Sequence, residues 1–302
     1  MAKQLSGRPV AEALDQKSAK CAQALKNSGI TPTLAILRIG ENRSDLSYEA
    51  GVMRRAEIVG VDVKKTVLPE TATKQEVLSA IDALNADKSV HGVLMFRPLP
   101  KHLKADTDEI CNRLLPEKDI DCMTGLSGAG VFEGRRELGF APCTPAACME
   151  ILDYYNIDCT GKNAVVIGRS LVVGKPAAMM LLDKNATVTV CHTKTADLPS
   201  ICRRADIIIS AAGRLHSLTK DFVSPEQTVL DVSINWDADK PNSKGGLGAI
   251  AGDAVFAEVE PIVGAITPVP GGVGAVTTSV LLSHVVTAAK HANPRTGKEA
   301  EE

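Results

Sequence analysis

The run Val165-Val166-Ile167-Gly168-Arg169-Ser170-Leu171-Val172-Val173-Gly174-Lys175-Pro176 passes from an apolar strand into a Gly-Arg-Ser turn and then a helix start, with no linker between them. Gly168 lets the backbone turn where a side chain would block a ligand. The N–H groups of a helix opening near Val173 are expected to face an anion. These residue types suit a nucleotide phosphate, although their spacing, Gly-x-Ser-x-x-x-Gly-x-Pro, departs from the commoner Gly-x-Gly-x-x-Gly fingerprint. Gly168, Arg169, Ser170 and Gly174 are therefore the first candidate binding residues.

The next apolar strand, residues 186–191, is expected to end beside an adenosine ribose, roughly 20 residues on from the first glycine. An NAD site usually carries Asp or Glu there, whereas this chain has His192-Thr193-Lys194-Thr195. Together with Arg169, these cationic and hydroxyl groups suit an extra 2′-phosphate, which a carboxylate would repel. The reading is NADP in preference to NAD.

The elements that must position these residues alternate along the chain. A helix is expected over about residues 10–28, a strand at 33–39, a helix at 45–59 and a strand at 61–68. Thr73 with Glu76 in capping-box spacing opens a further helix, followed by the strand Gly92-Val93-Leu94-Met95-Phe96. Such alternation implies a largely parallel sheet covered on both faces, a three-layer α/β domain. Residues 116–145 break into Pro, Gly and short polar runs, including 125–130, and read as an interdomain connection. A second series then begins, with strands at 163–168, 186–191, 206–211 and 228–232. The third ends in Ala211-Ala212-Gly213, small residues that let a flat cofactor lie close to backbone. The loop Thr267-Pro268-Val269-Pro270-Gly271-Gly272-Val273-Gly274, ahead of a helix at about 275–291, combines fixed and freed backbone angles, as expected where something approaches its backbone.

Composition bounds the function. The 302 residues are 44% hydrophobic and carry 34 basic and 36 acidic side chains, a net charge of −2. No basic block marks a nucleic-acid partner. The first residues, Met1-Ala2-Lys3-Gln4-Leu5-Ser6-Gly7, lack a signal peptide's apolar run, and no segment has about 18 uninterrupted apolar residues. A cytoplasmic protein with no membrane partner is expected. The eight cysteines form no Cys-x-x-Cys pair and have no histidine at zinc spacing, so most of them read as small buried hydrophobes and no metal is assigned.

Pro142-Cys143-Thr144-Pro145, the Gly168–Pro176 turn, Asp231-Val232-x-Ile234-Asn235, Gly252-Asp253 and the 267–274 loop together resemble the methylenetetrahydrofolate dehydrogenase/methenyltetrahydrofolate cyclohydrolase family. The resemblance spans about Leu5 to Ala292. It implies two three-layer α/β domains with a folate cleft between them: a folate domain of residues 1–121 plus the returning helix at 275–292, and a Rossmann-type NADP-binding domain of residues 122–274. Residues 293–302 are expected to be a disordered tail. The resemblance further implies a homodimer and the oxidation of 5,10-methylenetetrahydrofolate by NADP. Bifunctional members also hydrolyse the methenyl product to 10-formyltetrahydrofolate. It extends the cofactor-binding residues to His192, Thr193, Ala212, Gly213, Ile234 and Thr277, and gives Tyr48, Asp121, Pro270, Gly271 and Gly272 as substrate-binding residues.

The sequence departs from the family pattern at the reacting end. Tyr48 matches the tyrosine of the family's Tyr-x-x-x-Lys, but Val52 stands where the lysine would be. In Met95-Phe96-Arg97-Pro98-Leu99-Pro100, Phe96 takes the place of a glutamine and Arg97 that of a leucine; Asp121 is kept, with Cys122 in place of a glycine. Hydride loss needs mainly a close, well-angled nicotinamide. Hydrolysis needs general acid–base work worth about 10²–10⁴-fold, which valine cannot supply. The expectation is a dehydrogenase using Tyr48 and Asp121, with weak or absent cyclohydrolase activity. Arg97 is the first candidate substitute for the lysine, while Arg54 is turned away on the helix. A fully bifunctional enzyme, a noncatalytic folate- or nucleotide-binding homologue, and an NADP oxidoreductase acting on another substrate remain open.

Overall fold

The computed structural model describes residues 1–242 and 246–293. In chain order its elements are β1 (Lys3–Gln4), α1 (Gly7–Asn27), β2 (Thr33–Ile39), α2 (Arg43–Val59), β3 (Asp62–Leu68), α3 (Lys74–Ala86), β4 (Gly92–Met95), α4 (Thr107–Asn112), α5 (Gly125–Glu133) and α6 (Cys143–Tyr154). There follow β5 (Asn163–Ile167), α7 (Gly174–Asp183), β6 (Thr187–Cys191), α8 (Leu198–Arg203), β7 (Ile207–Ser210), β8 (Thr228–Asp231), β9 (Asn235–Pro241), β10 (Leu247–Ala251), α9 (Phe256–Val259), β11 (Ala265–Ile266) and α10 (Val273–Ala292). The chain divides into two compact units, Glu12–Cys143 with Thr278–Glu302, and Met1–Ala11 with Thr144–Thr277.

The unit holding Glu12–Cys143 is built on the parallel sheet β3-β2-β4. Alternate residues of a strand face opposite ways. Ala35, Leu37, Val93 and Met95 therefore point to one face, in a core with Val77, Ile81 and Leu84 of α3 and Ile110 of α4. On the other face, a Cβ at Gly92 would meet Ile120 and Val285 of α10. Thr73 and Glu76 form the expected capping box at the start of α3. Helix α10 is long and apolar because Leu281, Leu282, Val285 and Ala289 are all buried.

Two features of this part of the chain differ from the sequence reading. Residues 125–130, expected in a connection, lie in α5, where Thr124 accepts from the Ser127 amide at 3.1 Å and Gly134 closes the helix at φ 69°. Glycine lowers helix propensity, but burial of Ser127, Gly130 and Val131 overrides it. The first domain was also expected to begin at residue 1. Lys3 pairs with Ala265, so β1 joins the sheet of the other unit; the chain enters the first unit at Glu12 and leaves it after Cys143, beyond the expected 121. Of the expected tail, residues 294–302 lie outside the described residues.

The second unit carries a six-stranded, wholly parallel sheet in the order β1-β11-β8-β7-β5-β6. The chain winds outward from β5 in one direction to β6 and in the other to β7 and β8, so the C-terminal end of β5 is a topological switch point, the usual place for a ligand in open α/β sheets. The apolar runs of β5, β7 and β8 are buried because they are interior strands. The two-residue strands β1 and β11 and the hairpin β9–β10 were not anticipated. Strands of two residues leave no readable periodicity.

Candidate active site

In the first unit, residues from α2, the end of β4 and the 119–124 turn converge. The rings of Tyr48 and Phe96 meet edge to face, with centroids 6.0 Å apart. Arg97 Nη2 lies 4.0 Å from Asp121 Oδ2, and Asp121 Oδ1 accepts from the Cys143 amide at 3.0 Å. The turn carrying Asp121 is fixed by its neighbour: the fully buried Asp119 carboxylate accepts from the amides of Met123 and Thr124, both at 2.8 Å. Burial of its phenol end, then the neighbouring Cys143 and Asp121, push the Tyr48 pKa above the ordinary tyrosine range, against a hydrogen bond with Thr278 of α10. Tyr48 thus stays neutral, a hydrogen-bond donor and acceptor but no phenolate base.

One stripe of α2, at helical spacing i, i+4 and i+7, ties it to α10. Tyr48 reaches Thr278, Val52 is 0% exposed, and Arg55 Nη1 donates to Asp15 of α1 at 2.5 Å and to Ser279 of α10 at 2.7 Å. Val52 is therefore a core residue between two polar ties. Arg54 is exposed, as expected of a residue turned away. Of the residues expected here, the structure brings Tyr48, Phe96, Arg97 and Asp121 together. Thr278, Cys143 and His284, whose Nδ1 lies 3.9 Å from Cys143 Sγ, were not assigned from the sequence.

In the second unit, register pairs Ile167 with Cys191, so Gly168-Arg169 and His192-Thr193 leave adjacent strands side by side. Gly168 is required twice over: φ is 131°, and a Cβ would come 2.3 Å from the Ala211 carbonyl oxygen. Likewise a Cβ at Gly174 would meet the Gly168 carbonyl oxygen at 2.2 Å. The expectation that the helix-start amides face an anion is corrected. Ser170 Oγ accepts from Val173 N at 3.1 Å and Gly174 N at 3.4 Å, and Ser170 O accepts from Lys175 N. Ser170 thus braces the turn before α7 as an acceptor, and the amides of this turn left without an acceptor among the described residues are those of Arg169, Ser170, Leu171 and Val172. These four lie one step earlier, in the turn itself, and the exposed Arg169 stands among them. The 192–195 turn is self-bonded: His192 N donates to Thr195 Oγ1 at 2.8 Å, and His192 Nδ1 accepts from Lys194 N at 3.1 Å. Thr193 and Lys194 are left exposed.

A buried carboxylate organises the next loops. Asp253 Oδ2 accepts from Ala212 N at 2.8 Å, Ser233 Oγ at 2.7 Å and Ser210 Oγ at 3.1 Å, while Oδ1 accepts from Arg214 N at 2.8 Å and Asn235 Nδ2 at 3.1 Å. Ser233 Oγ in turn accepts from Gly213 N at 3.0 Å. Asp231 holds the Asp253 and Ala254 amides, and burial, with the like charge of Asp253, pushes its pKa up to about 6. Beside this network a cavity of about 280 Å³ is lined by Ile234, Pro268, Pro270, Gly271, Gly272 and Gly274, among others. Thr277 lies in the first turn and a half of α10, its hydroxyl spent on the Val273 carbonyl at 3.2 Å. Asp253 was visible only as part of a motif; nothing in the sequence announced its five bonds.

Comparison with known proteins gives matches along nearly all of the chain. Residues 5–121 match the family described as tetrahydrofolate dehydrogenase/cyclohydrolase, catalytic domain, and residues 142–293 match tetrahydrofolate dehydrogenase/cyclohydrolase, NAD(P)-binding domain. The sequence is 48% identical over 294 residues to the bifunctional protein FolD of Carboxydothermus hydrogenoformans, covering 97% of this chain and 99% of the relative. A solved bifunctional FolD methylenetetrahydrofolate dehydrogenase/cyclohydrolase from Campylobacter jejuni superposes with a TM-score of 0.89 at 38% identity, covering 96% of this chain and 99% of that one. The Trypanosoma brucei dehydrogenase-cyclohydrolase, solved with NADP cofactor and inhibitor, gives 0.88 at 31% identity, covering 96% and 98%.

Proposed function

The chain belongs to the tetrahydrofolate dehydrogenase/cyclohydrolase family, and on that premise we propose that it oxidises 5,10-methylenetetrahydrofolate with NADP and hydrolyses the methenyl product to 10-formyltetrahydrofolate. The observation that carries the reading is the convergence of Tyr48, Phe96, Arg97 and Asp121 beyond the C-terminal end of β4. The weakened hydrolysis expected from Val52 gives way to the bifunctional alternative, because relatives 43–48% identical over 96–97% of the chain are named bifunctional.

NADP, when bound, supplies the hydride acceptor. The chain offers it the acceptor-free amides of Arg169 to Val172 for a phosphate, and Arg169, Thr193 and Lys194, with no carboxylate among them, for the 2′-phosphate. Gly174 lets the helix start approach the turn, and Ser170 Oγ and His192 Nδ1 hold their turns as acceptors, which leaves the Ser170 O–H and the His192 Nε2–H to donate to the nucleotide. Ala212, Gly213, Ile234 and Thr277 flank the flat ring, with Pro270, Gly271 and Gly272 towards the folate. On the folate, neutral Tyr48 positions the pterin side by hydrogen bonding or stacking, and Asp121 accepts from the pterin ring. In hydrolysis water adds to the cationic methenyl carbon and releases one proton to solvent, giving a neutral carbinolamine. The Arg97 guanidinium N–H groups then hydrogen-bond that oxygen as its hydroxyl proton leaves to solvent, the C–N bond breaks and the departing nitrogen takes a proton from solvent. The reading also takes the chain to be a cytoplasmic homodimer.

The test is NADPH formation from 5,10-methylenetetrahydrofolate by the purified protein, compared with NADH formation from NAD. Faster turnover with NADP is the expected result. No reduction of either nucleotide would overturn the reading.

A further inference from the structure

His284, on α10, joins the turn that carries Asp121. Its Nδ1 lies 2.9 Å from the Ile120 carbonyl oxygen. A carbonyl only accepts, so the proton sits on Nδ1 and the ring is a donor there. Cys143 Sγ donates to the same oxygen at 3.4 Å, while the Cys143 amide holds Asp121 Oδ1 at 3.0 Å. The Phe140 ring lies against the imidazole, centroids 4.9 Å apart. Thus two side-chain donors converge on the peptide oxygen immediately before Asp121, and one of their residues also grips the carboxylate. Ile120 itself is fully buried, so its peptide has little freedom beyond what these bonds allow.

We propose that His284 is a positioning residue for Asp121: through Ile120 and Cys143 it fixes the carboxylate that holds the folate. The groups facing the ring are Asp121 and Asp119 from the 119–124 turn, Arg136 from the segment after α5, Cys143 from α6 and the Phe140 ring. Among the described residues Nε2 has no partner. A second proton there would put a cation in a buried site beside Arg136, and burial accordingly holds the His284 pKa below the ordinary histidine value. Nδ1–H donates to the Ile120 carbonyl with or without that second proton, so the positioning bond itself does not depend on it. This inference rests on the folate reading above.

The experiment compares wild type, His284→Ala and His284→Asn by steady-state kinetics with 5,10-methylenetetrahydrofolate and NADP, from neutral pH down to the limit of stability. Removing the donor in His284→Ala is expected to raise the folate KM about tenfold, the worth of one hydrogen bond, with the NADP KM and kcat within about threefold. Asparagine keeps a short donor but cannot titrate. His284→Asn should restore most of the folate KM at each pH where wild type is active. An active wild type with an unchanged folate KM in His284→Ala overturns the inference, as does a His284→Asn whose folate KM is no lower than that of His284→Ala. If His284→Ala does not fold, His284→Leu, which fills the space without a donor, takes its place in the comparison. A wild type inactive on the folate overturns the functional reading and the inference with it.

Discussion

Asp253→Asn tests whether one buried carboxylate builds the nucleotide half of the site. The substitution replaces one of two oxygens that together accept five hydrogen bonds. Were the new amide group on the Oδ1 side, it would face two donors that cannot reverse, Arg214 N and Asn235 Nδ2. On the Oδ2 side it faces two hydroxyls, which rotate to accept, and one backbone donor, Ala212 N. The second arrangement wins, and it orphans a single amide at about 1–3 kcal/mol. The four remaining bonds change from charge-assisted to neutral at roughly 0.5–1 kcal/mol each. Against this, losing the negative charge beside Asp231 removes one of the two causes that hold its pKa at about 6. The net expectation is a loss of about 3–5 kcal/mol, the range for breaking a buried charged network. Ala212, and Gly213 through Ser233, should also lose their fixed orientation. Urea unfolding and the NADP Kd measure both effects. A loss below about 1 kcal/mol with an unchanged Kd would refute the reasoning, since such a change is ordinary for a surface substitution.

Gly168→Ala places a methyl group 2.3 Å from the Ala211 carbonyl oxygen at a φ of 131°, so the NADP Kd should rise at least about tenfold, with a stability loss of about 2–4 kcal/mol in urea titration. Arg169→Ala should raise the NADP KM about 10–100-fold, the worth of a charge-assisted bond, and leave the NAD KM unchanged; an equal effect on both would remove Arg169 from the 2′-phosphate. Val52→Lys should not enhance hydrolysis: the position is 0% exposed between the Tyr48 and Arg55 ties, so a lysine there should cost about 3 kcal/mol or more by thermal or urea unfolding.

Most of the parallel architecture was legible because strands such as 33–39 and 163–167 are apolar runs between helices of clear period. Tyr48, Phe96, Arg97 and Asp121 were found by matching ordered motifs, and their mutual contacts follow from strand-end and helix positions that the pattern fixes. Other features depend on distant contacts that leave no local trace. The glycines of α5 read as a loop because their helix is held by burial, and β1 is a strand only because Ala265 lies beside it. The Ser170 hydroxyl also accepts from the Val173 and Gly174 amides, a local tie that the motif spacing does not announce. Val52 looked like a missing catalytic group, whereas its side chain is part of the packing between α2 and the core. Asp253 and His284 act through partners 18 to 164 residues away, a separation no spacing rule spans.

The central claim is that this chain carries out both folate steps although Val52 stands where the motif reading expects the family's lysine. Its most direct test is the loss of 5,10-methenyltetrahydrofolate absorbance, against an enzyme-free blank, in a preparation that reduces NADP with 5,10-methylenetetrahydrofolate. Decay well above the blank is the predicted result, and replacing Arg97 by alanine should slow it. Decay at the blank rate in that active preparation would contradict the account and leave a dehydrogenase without cyclohydrolase activity.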